Sequence, residues 1–200
     1  MNFRLRQIMI SMAMLWFAPL GAVSADEACE VFLRGALDRA LYSEGQNSTD
    51  HQSRLATLIH DHVDTLALSK FTLGKHAKSV SPIDLETYHS SLSDHLEALL
   101  WQQIEGAQSL SADILKSVDR TPRDCFVETV IHRDGSEDVM VIWRVRFAND
   151  VHRILDVALI LDGNQIWLGI ELRAQVVVLF EQTGGDMAAI LDRLEFDARS

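Results

Sequence analysis

Between Val139 and Phe147 the apolar residues fall on every second position. Val139, Val141, Trp143, Val145 and Phe147 alternate with Met140, Ile142, Arg144 and Arg146. A period of two belongs to a β-strand with one dry face and one partly wet face. The stretches Phe126 to His132 and Arg153 to Leu161 share that period, and "RDGSED" and "AND" between the three have the turn residues of hairpins. In the last strand Leu155, Val157, Leu159 and Leu161 are expected on one face, with Asp156 on the other. A further short strand is expected around Ile114 to Val118. What lies against the dry faces is either the protein's own core or something apolar that the protein carries.

On both sides of these strands the period lengthens. Asp26 is placed to cap a helix carrying Val31, Phe32, Leu37 and Leu41, "SEGQNSTD" reads as a loop, and a second helix from Ser48 or Thr49 carries Leu55, Leu58, Ile59 and Val63. "DTLALSKFTLGKHAKSV" is apolar at Leu66, Leu68, Phe71 and Leu73, with Gly74 allowing a stop or a close approach. "SPIDLE" is a helix start, with Ser81 as cap, Pro82 in the first helical position and Asp84 in the first turn. Leu85, Tyr88, Leu92, Leu96 and Leu99 then form one face of a long helix expected to end near Glu105 and Gly106. From Leu168 to Gln182 the pattern is helical again, and "TGGD" opens a last helix through Ile190, Leu191 and Leu194. Helices, then an antiparallel sheet, then helices make a single α+β domain. A curved sheet with helices on one side is a natural container.

The chain begins differently. Arg4 and Arg6 precede an apolar run from Ile8 to Val23, Pro19 interrupts it, and "AVSA" sets the small residues Val23 and Ala25 where a signal peptidase reads. The run falls short of the ~20 residues a membrane span needs, and "DEA" before Cys29 does not resemble the box preceding a lipidated cysteine. Residues 1–25 are therefore expected to be a signal peptide cleaved after Ala25, leaving 26–200 as the mature domain in an export compartment. Cleavage would remove two of the 18 basic residues and none of the 29 acidic ones, making a formal charge of −11 two units more negative. Such a field argues against nucleic-acid binding and against constitutive adsorption to an anionic bilayer. Cys29 and Cys125 both enter an oxidising compartment. A disulfide between them and a pair of buried free thiols are both open from sequence.

Catalytic and metal patterns are weak. His60 and His62 in "HDHVD" point to different faces of a helix, and there is no H-E-x-x-H, so no metal and no cofactor is expected. There is no G-x-S-x-G and no S-x-x-K. Ser93, Asp94 and His95 hold the letters of a triad, but consecutive helical residues cannot form its relay, and a solvated helix face is expected there.

Three blocks resemble a known family, the periplasmic phospholipid-binding MlaC proteins, also called toluene-tolerance proteins. Asp64 to Leu100 is similar to that family's Asp, apolar pair, Phe-x-Leu-Gly-basic, Ser-Pro and long helix. "VMVIWRVRFANDVHRILDVAL" resembles its strand pair with an aromatic-Arg core and a basic-Ile-x-Asp-Val ending. "RAQVVVLFEQTGGDMAAILDRL" resembles its Arg-led helix, Gly turn and final short helix. The chain departs at Gln175 and Val176, where the family has an acid and a bulky aromatic, and "LILDGNQIWLGIEL" is longer than the usual link.

The resemblance implies a curved antiparallel sheet packed against helices and enclosing an apolar cavity. It implies a non-enzymatic periplasmic carrier that holds phospholipid by its acyl chains and maintains outer-membrane lipid asymmetry. The implied partners are an outer-membrane lipoprotein complex and an inner-membrane ABC transporter with a lipid-binding hexamer. The expected pocket residues are Leu73, Leu92, Leu96, Val141, Trp143, Val145, Leu155, Val157, Leu159 and Phe180. Arg144, Arg146, Arg153 and Lys70 are the cations available to a phosphate, although cations on a solvated face ordinarily do nothing special. The alternatives are a hopanoid-associated branch of the same superfamily, an export-compartment adaptor with a filled core, and a small cone-shaped α+β isomerase or dehydratase. The last would need a buried acid–base pair, for which Asp156 and His132 are the candidates.

Overall fold

The computed structural model describes residues 25–41, 48–104 and 109–198. The expected leader, most of the "SEGQNSTD" loop and the expected helix end at Glu105 and Gly106 lie outside the described residues. Among the described residues, six α-helices and five strands follow the order α1 (Ala25–Leu41), α2 (Ser48–His62), α3 (Thr65–Leu73), a 3-10 turn at Gly74–Lys78, α4 (Pro82–Ile104), β1 (Leu110–Thr121), β2 (Asp124–Arg133), β3 (Val139–Ala148), β4 (Val151–Leu161), β5 (Asn164–Trp167), α5 (Leu168–Thr183) and α6 (Met187–Ala198). The strands pair in sequence order into one curved antiparallel meander, β1-β2-β3-β4-β5. The fold is α+β, with helices on one face of the sheet.

Register decides what that face presents. Val127, Thr129 and Ile131 of β2 lie opposite Trp143, Val141 and Val139 of β3. Trp143 and Val141 in turn lie opposite Val157 and Leu159 of β4, and Leu159 opposite Ile166 of β5. Directly opposed residues share a face, so these side chains form one inward row.

The row survives a bulge. Arg144 pairs with Asp156, but Val145 pairs with Ile154, so Leu155 has no residue opposite it. One extra residue reverses the alternation. Ile154, fully buried, takes the inward place beside Val145, and Leu155 leaves the row of Val157 and Leu159 that the bare period assigned to it. The same sequence window hides β5, whose four residues follow the tight Asp162-Gly163 turn, both with positive φ (50° and 79°).

The helical layer uses its own spacing. Leu33, Ala36, Leu37, Ala40 and Leu41 are buried along α1, which packs on β1 and β2, whereas Val31, expected in the stripe, is 69% exposed. A Cys29–Cys125 disulfide fastens α1 to β2 across 96 residues of chain. On α3, Leu66 and Phe71 face out while Thr65, Ser69 and Thr72 join Leu68 and Leu73 inside. Those hydroxyls are satisfied locally: Thr72 bonds Tyr88 Oη at 2.7 Å, Thr65 bonds His89 Nε2 at 2.7 Å, and Ser69 donates to the Thr65 carbonyl at 2.7 Å. Ser81 caps α4 as expected, accepting from Asp84 N at 3.1 Å while its hydroxyl donates to the Asp84 carboxylate at 2.8 Å. Gly74 (φ 55°) brings the end of α3 against Arg173 of α5, which donates to the Phe71 carbonyl at 3.2 Å and lies over the Phe71 ring.

Candidate functional site

Between the sheet and the helices the core is incomplete. A cavity of about 290 Å³ is walled on the sheet side by Ile131, Val139, Val141, Trp143, Val157, Leu159 and Ile166. Its helical side is Leu37 and Leu41 of α1, Leu55 and Leu58 of α2, Leu99 and Leu100 of α4, and Leu168 of α5. Arg133 and Glu171 are the two charged residues of the lining. Leucines spaced three to four apart from three helices meet a pleated row of branched and aromatic side chains, so apart from those two residues the wall is apolar. Even Trp143 conforms, because its indole N–H donates to Thr129 Oγ1 at 2.9 Å inside the sheet. Ile166 and Glu171 are exposed, and Leu37, Leu55, Leu58, Val141 and Trp143 are buried, so the cavity runs from an open rim to a sealed floor.

Of the residues expected to line a pocket, the structure brings together Val141, Trp143, Val157 and Leu159. Leu73, Leu92, Leu96 and Val145 lie in the closed core nearby, each at most 3% exposed. Leu155 lines a different pocket because of the bulge. Phe180 stacks on His76 with ring centroids 3.9 Å apart, close under Gly185. The expected pocket set does not include Leu37 and Leu41 of α1, Leu55 and Leu58 of α2, or Leu99, Leu100, Ile131, Val139, Ile166 and Leu168, all of which line the cavity. Their periodic apolar faces were visible in the sequence, but which faces stay apart is a tertiary matter.

The chain matches the MlaC protein family over residues 36–195, four-fifths of its length. The chain belongs to the MlaC family. Among solved structures, the MlaC-family chain is similar to a phospholipid-binding protein from Ralstonia solanacearum, determined in complex with a phospholipid. The TM-score is 0.70 at 13% identity, covering 88% of this chain and 98% of the other. At that identity the likeness establishes a shared fold. No curated protein matches the chain.

In this MlaC-family chain the polar groups singled out from sequence lie away from the cavity. Asp156 Oδ1 accepts from Gly169 N and from its own neighbour Val157 N, both at 2.9 Å, and so caps α5 where Trp167 offers no side-chain bond. Burial raises its pKa above the usual carboxylate value, with those two amides and Arg144 opposing. His132 is held between Asp138 at 2.9 Å and Asp113 at 3.2 Å on the outer face, and those bonds raise its pKa. Neither residue of the acid–base pair considered from sequence faces the cavity. His95, expected on a solvated face, is buried, while Ser93 donates to the His89 carbonyl at 3.0 Å. Arg144 is paired with Asp124 at 2.7 Å. Arg146 and Arg153, directly opposed across β3 and β4, border a second pocket of about 360 Å³ with His60, His89 and Asp64 at the other end of the hairpin. Arg153 also donates to the Asp61 carbonyl.

Proposed function

We propose that the protein is a soluble, non-enzymatic carrier that holds a glycerophospholipid by its acyl chains in the cavity between sheet and helices. In this reading residues 1–25 are a leader removed on export to the periplasm. The mature chain then passes lipid between an outer-membrane lipoprotein complex and an inner-membrane ABC transporter with a lipid-binding hexamer, maintaining outer-membrane lipid asymmetry. The observation that carries the reading is the lining itself: fourteen of its sixteen residues are apolar, in a chain of the MlaC family. The Ralstonia solanacearum neighbour, which binds phospholipid, supports the same cargo.

The energetics fit a carrier. Each buried methylene is worth about 0.8 kcal/mol, so two acyl chains of about 30 methylenes need on the order of 20 kcal/mol of shelter from water. A wall apolar at fourteen of sixteen residues supplies that shelter without discriminating among tails.

Transfer of a fluorescent phospholipid from donor to acceptor vesicles separated by a protein-permeable, vesicle-impermeable membrane tests this directly. Transfer proportional to protein concentration is expected. Folded protein that moves no lipid would refute the carrier.

A further inference from the structure

The second pocket, at the far end of the β3–β4 hairpin, has the reverse chemistry of the apolar cavity and shares none of its lining residues. It measures about 360 Å³ and is bordered by Arg146 of β3 and Arg153 of β4, with Asp64, Thr65 and His89 from the helical layer. Arg146 and Arg153 are direct partners in the strand register, so their side chains leave one face of the sheet at neighbouring positions. Like charges set directly opposite each other destabilise a strand pair. The acids beside this pair are occupied. Asp124, the partner of Arg146 on β2, is held by Arg144 at 2.7 Å and by Arg120 at 3.3 Å. Asp64, the one carboxylate of the lining, accepts from Ala67 N at 2.9 Å as the cap of α3.

The two arginines differ in what they have left to offer. Arg153 donates to the Asp61 carbonyl through Nη1, so it brings charge to the pocket more than it brings bonds. Arg146 is exposed in the pocket and, among the described residues, makes no hydrogen bond and no ion pair. On the helical side the buried Thr65 hydroxyl and His89 Nε2 lie 2.7 Å apart and add a polar wall. A guanidinium fork with no protein partner, beside a second positive charge, is complementary to a compact oxyanion. Phosphate presents several acceptor oxygens to the fork and carries charge enough to offset both cations. We propose that this pocket binds a phosphate group, with Arg146 as the residue that bonds it and Arg153 as a supporting charge. A free phosphate or monoester and a glycerophospholipid headgroup share that chemistry. The pocket is open to water in a chain of formal charge −11, so binding weakens as salt is added.

Equilibrium dialysis tests the site. The full chain, stripped of lipid, is dialysed against radiolabelled inorganic phosphate at constant ionic strength. The wild type should take up phosphate saturably, and Arg146→Gln should weaken that uptake roughly tenfold. Since Arg146 has no partner among the described residues to lose, the variant should keep the wild-type urea midpoint. Arg123→Gln removes the same charge at an exposed position of the β1–β2 turn outside the lining, and should bind as the wild type does. The dialysis is then repeated on protein loaded with phosphatidylglycerol. Uptake abolished by loading makes the lipid headgroup the occupant, and unchanged uptake makes it a free phosphate or monoester; both uphold the site. No saturable uptake by the lipid-free wild type overturns it, and so does an equal loss in Arg146→Gln and Arg123→Gln. Failure to load any lipid would sink the carrier reading and leave the phosphate result standing.

Discussion

Trp143 of β3 donates its indole N–H to the hydroxyl of Thr129 on β2 at 2.9 Å, and both residues are at most 6% exposed. The bond lets the largest side chain of the sheet wall lie against the cavity without exposing a polar atom to it. Thr129→Val keeps the shape and removes the acceptor, leaving a buried donor unsatisfied. We expect a loss of about 1–3 kcal/mol in urea unfolding, with the tryptophan emission changed. An unaltered midpoint would mean that the indole finds another partner.

Val157 faces Trp143 across the β3–β4 pair and lines the same wall. An uncompensated carboxylate there would have to remain hydrated, so Val157→Asp is expected to abolish co-purifying lipid while the circular dichroism of the α+β fold persists. Trp143→Glu should do the same. Lipid retained by a folded variant would place the tails elsewhere.

The Cys29–Cys125 bond joins residues 96 apart in sequence. On the chain-entropy account a loop of that length is worth roughly 4–5 kcal/mol, because the crosslink restricts the unfolded chain. Cys29→Ser with Cys125→Ser is expected to lower the urea midpoint by that equivalent, and reductant should do the same to the wild type.

His62 and His152 flank the ring of Phe32, each with its centroid 5.5 Å away. Burial lowers the pKa of both below the usual imidazole value of about 6.5; at His62 Arg39 and Arg153 push the same way and Asp61 opposes. Between the lowered folded value and about 6.5 the unfolded chain binds more protons than the folded one, so this pair makes stability rise with pH across that window. His132, exposed between Asp113 and Asp138, shifts upward, so its contribution is full at low pH and lost as pH rises through its folded value. Comparison with a variant cancels it. From about pH 7 to about pH 5 the wild type should lose more of its urea midpoint than His62→Gln/His152→Gln. Parallel losses would contradict the assignment.

The strands β2, β3 and β4 and the start of α4 were legible because each is set by local rules: alternation, turn residues, and a Ser-Pro-x-Asp cap whose two bonds are both present. β5 was not, since four mostly exposed residues carry no period to detect. Leu155 was assigned to the wrong face because a bulge opposite Arg144 and Val145 leaves no mark in the hydrophobic pattern. Lining residues fared similarly for a physical reason. Leu92 and Leu99 sit on one stripe of α4, yet Leu92 is sealed in the helical core and Leu99 faces the cavity. Periodicity says that a residue is apolar on the inner face; whether its neighbour across the gap touches it is decided by how far α1, α2 and α4 stand from the sheet.

The central claim is that this cavity holds phospholipid. Native mass spectrometry of the protein, expressed as the full chain and purified without detergent, tests it most directly, followed by solvent extraction of whatever is bound. The account predicts a bound species of phospholipid mass that is lost in Val157→Asp. A clean lipid-free mass from folded wild-type protein, or a bound species of hopanoid mass, would contradict it.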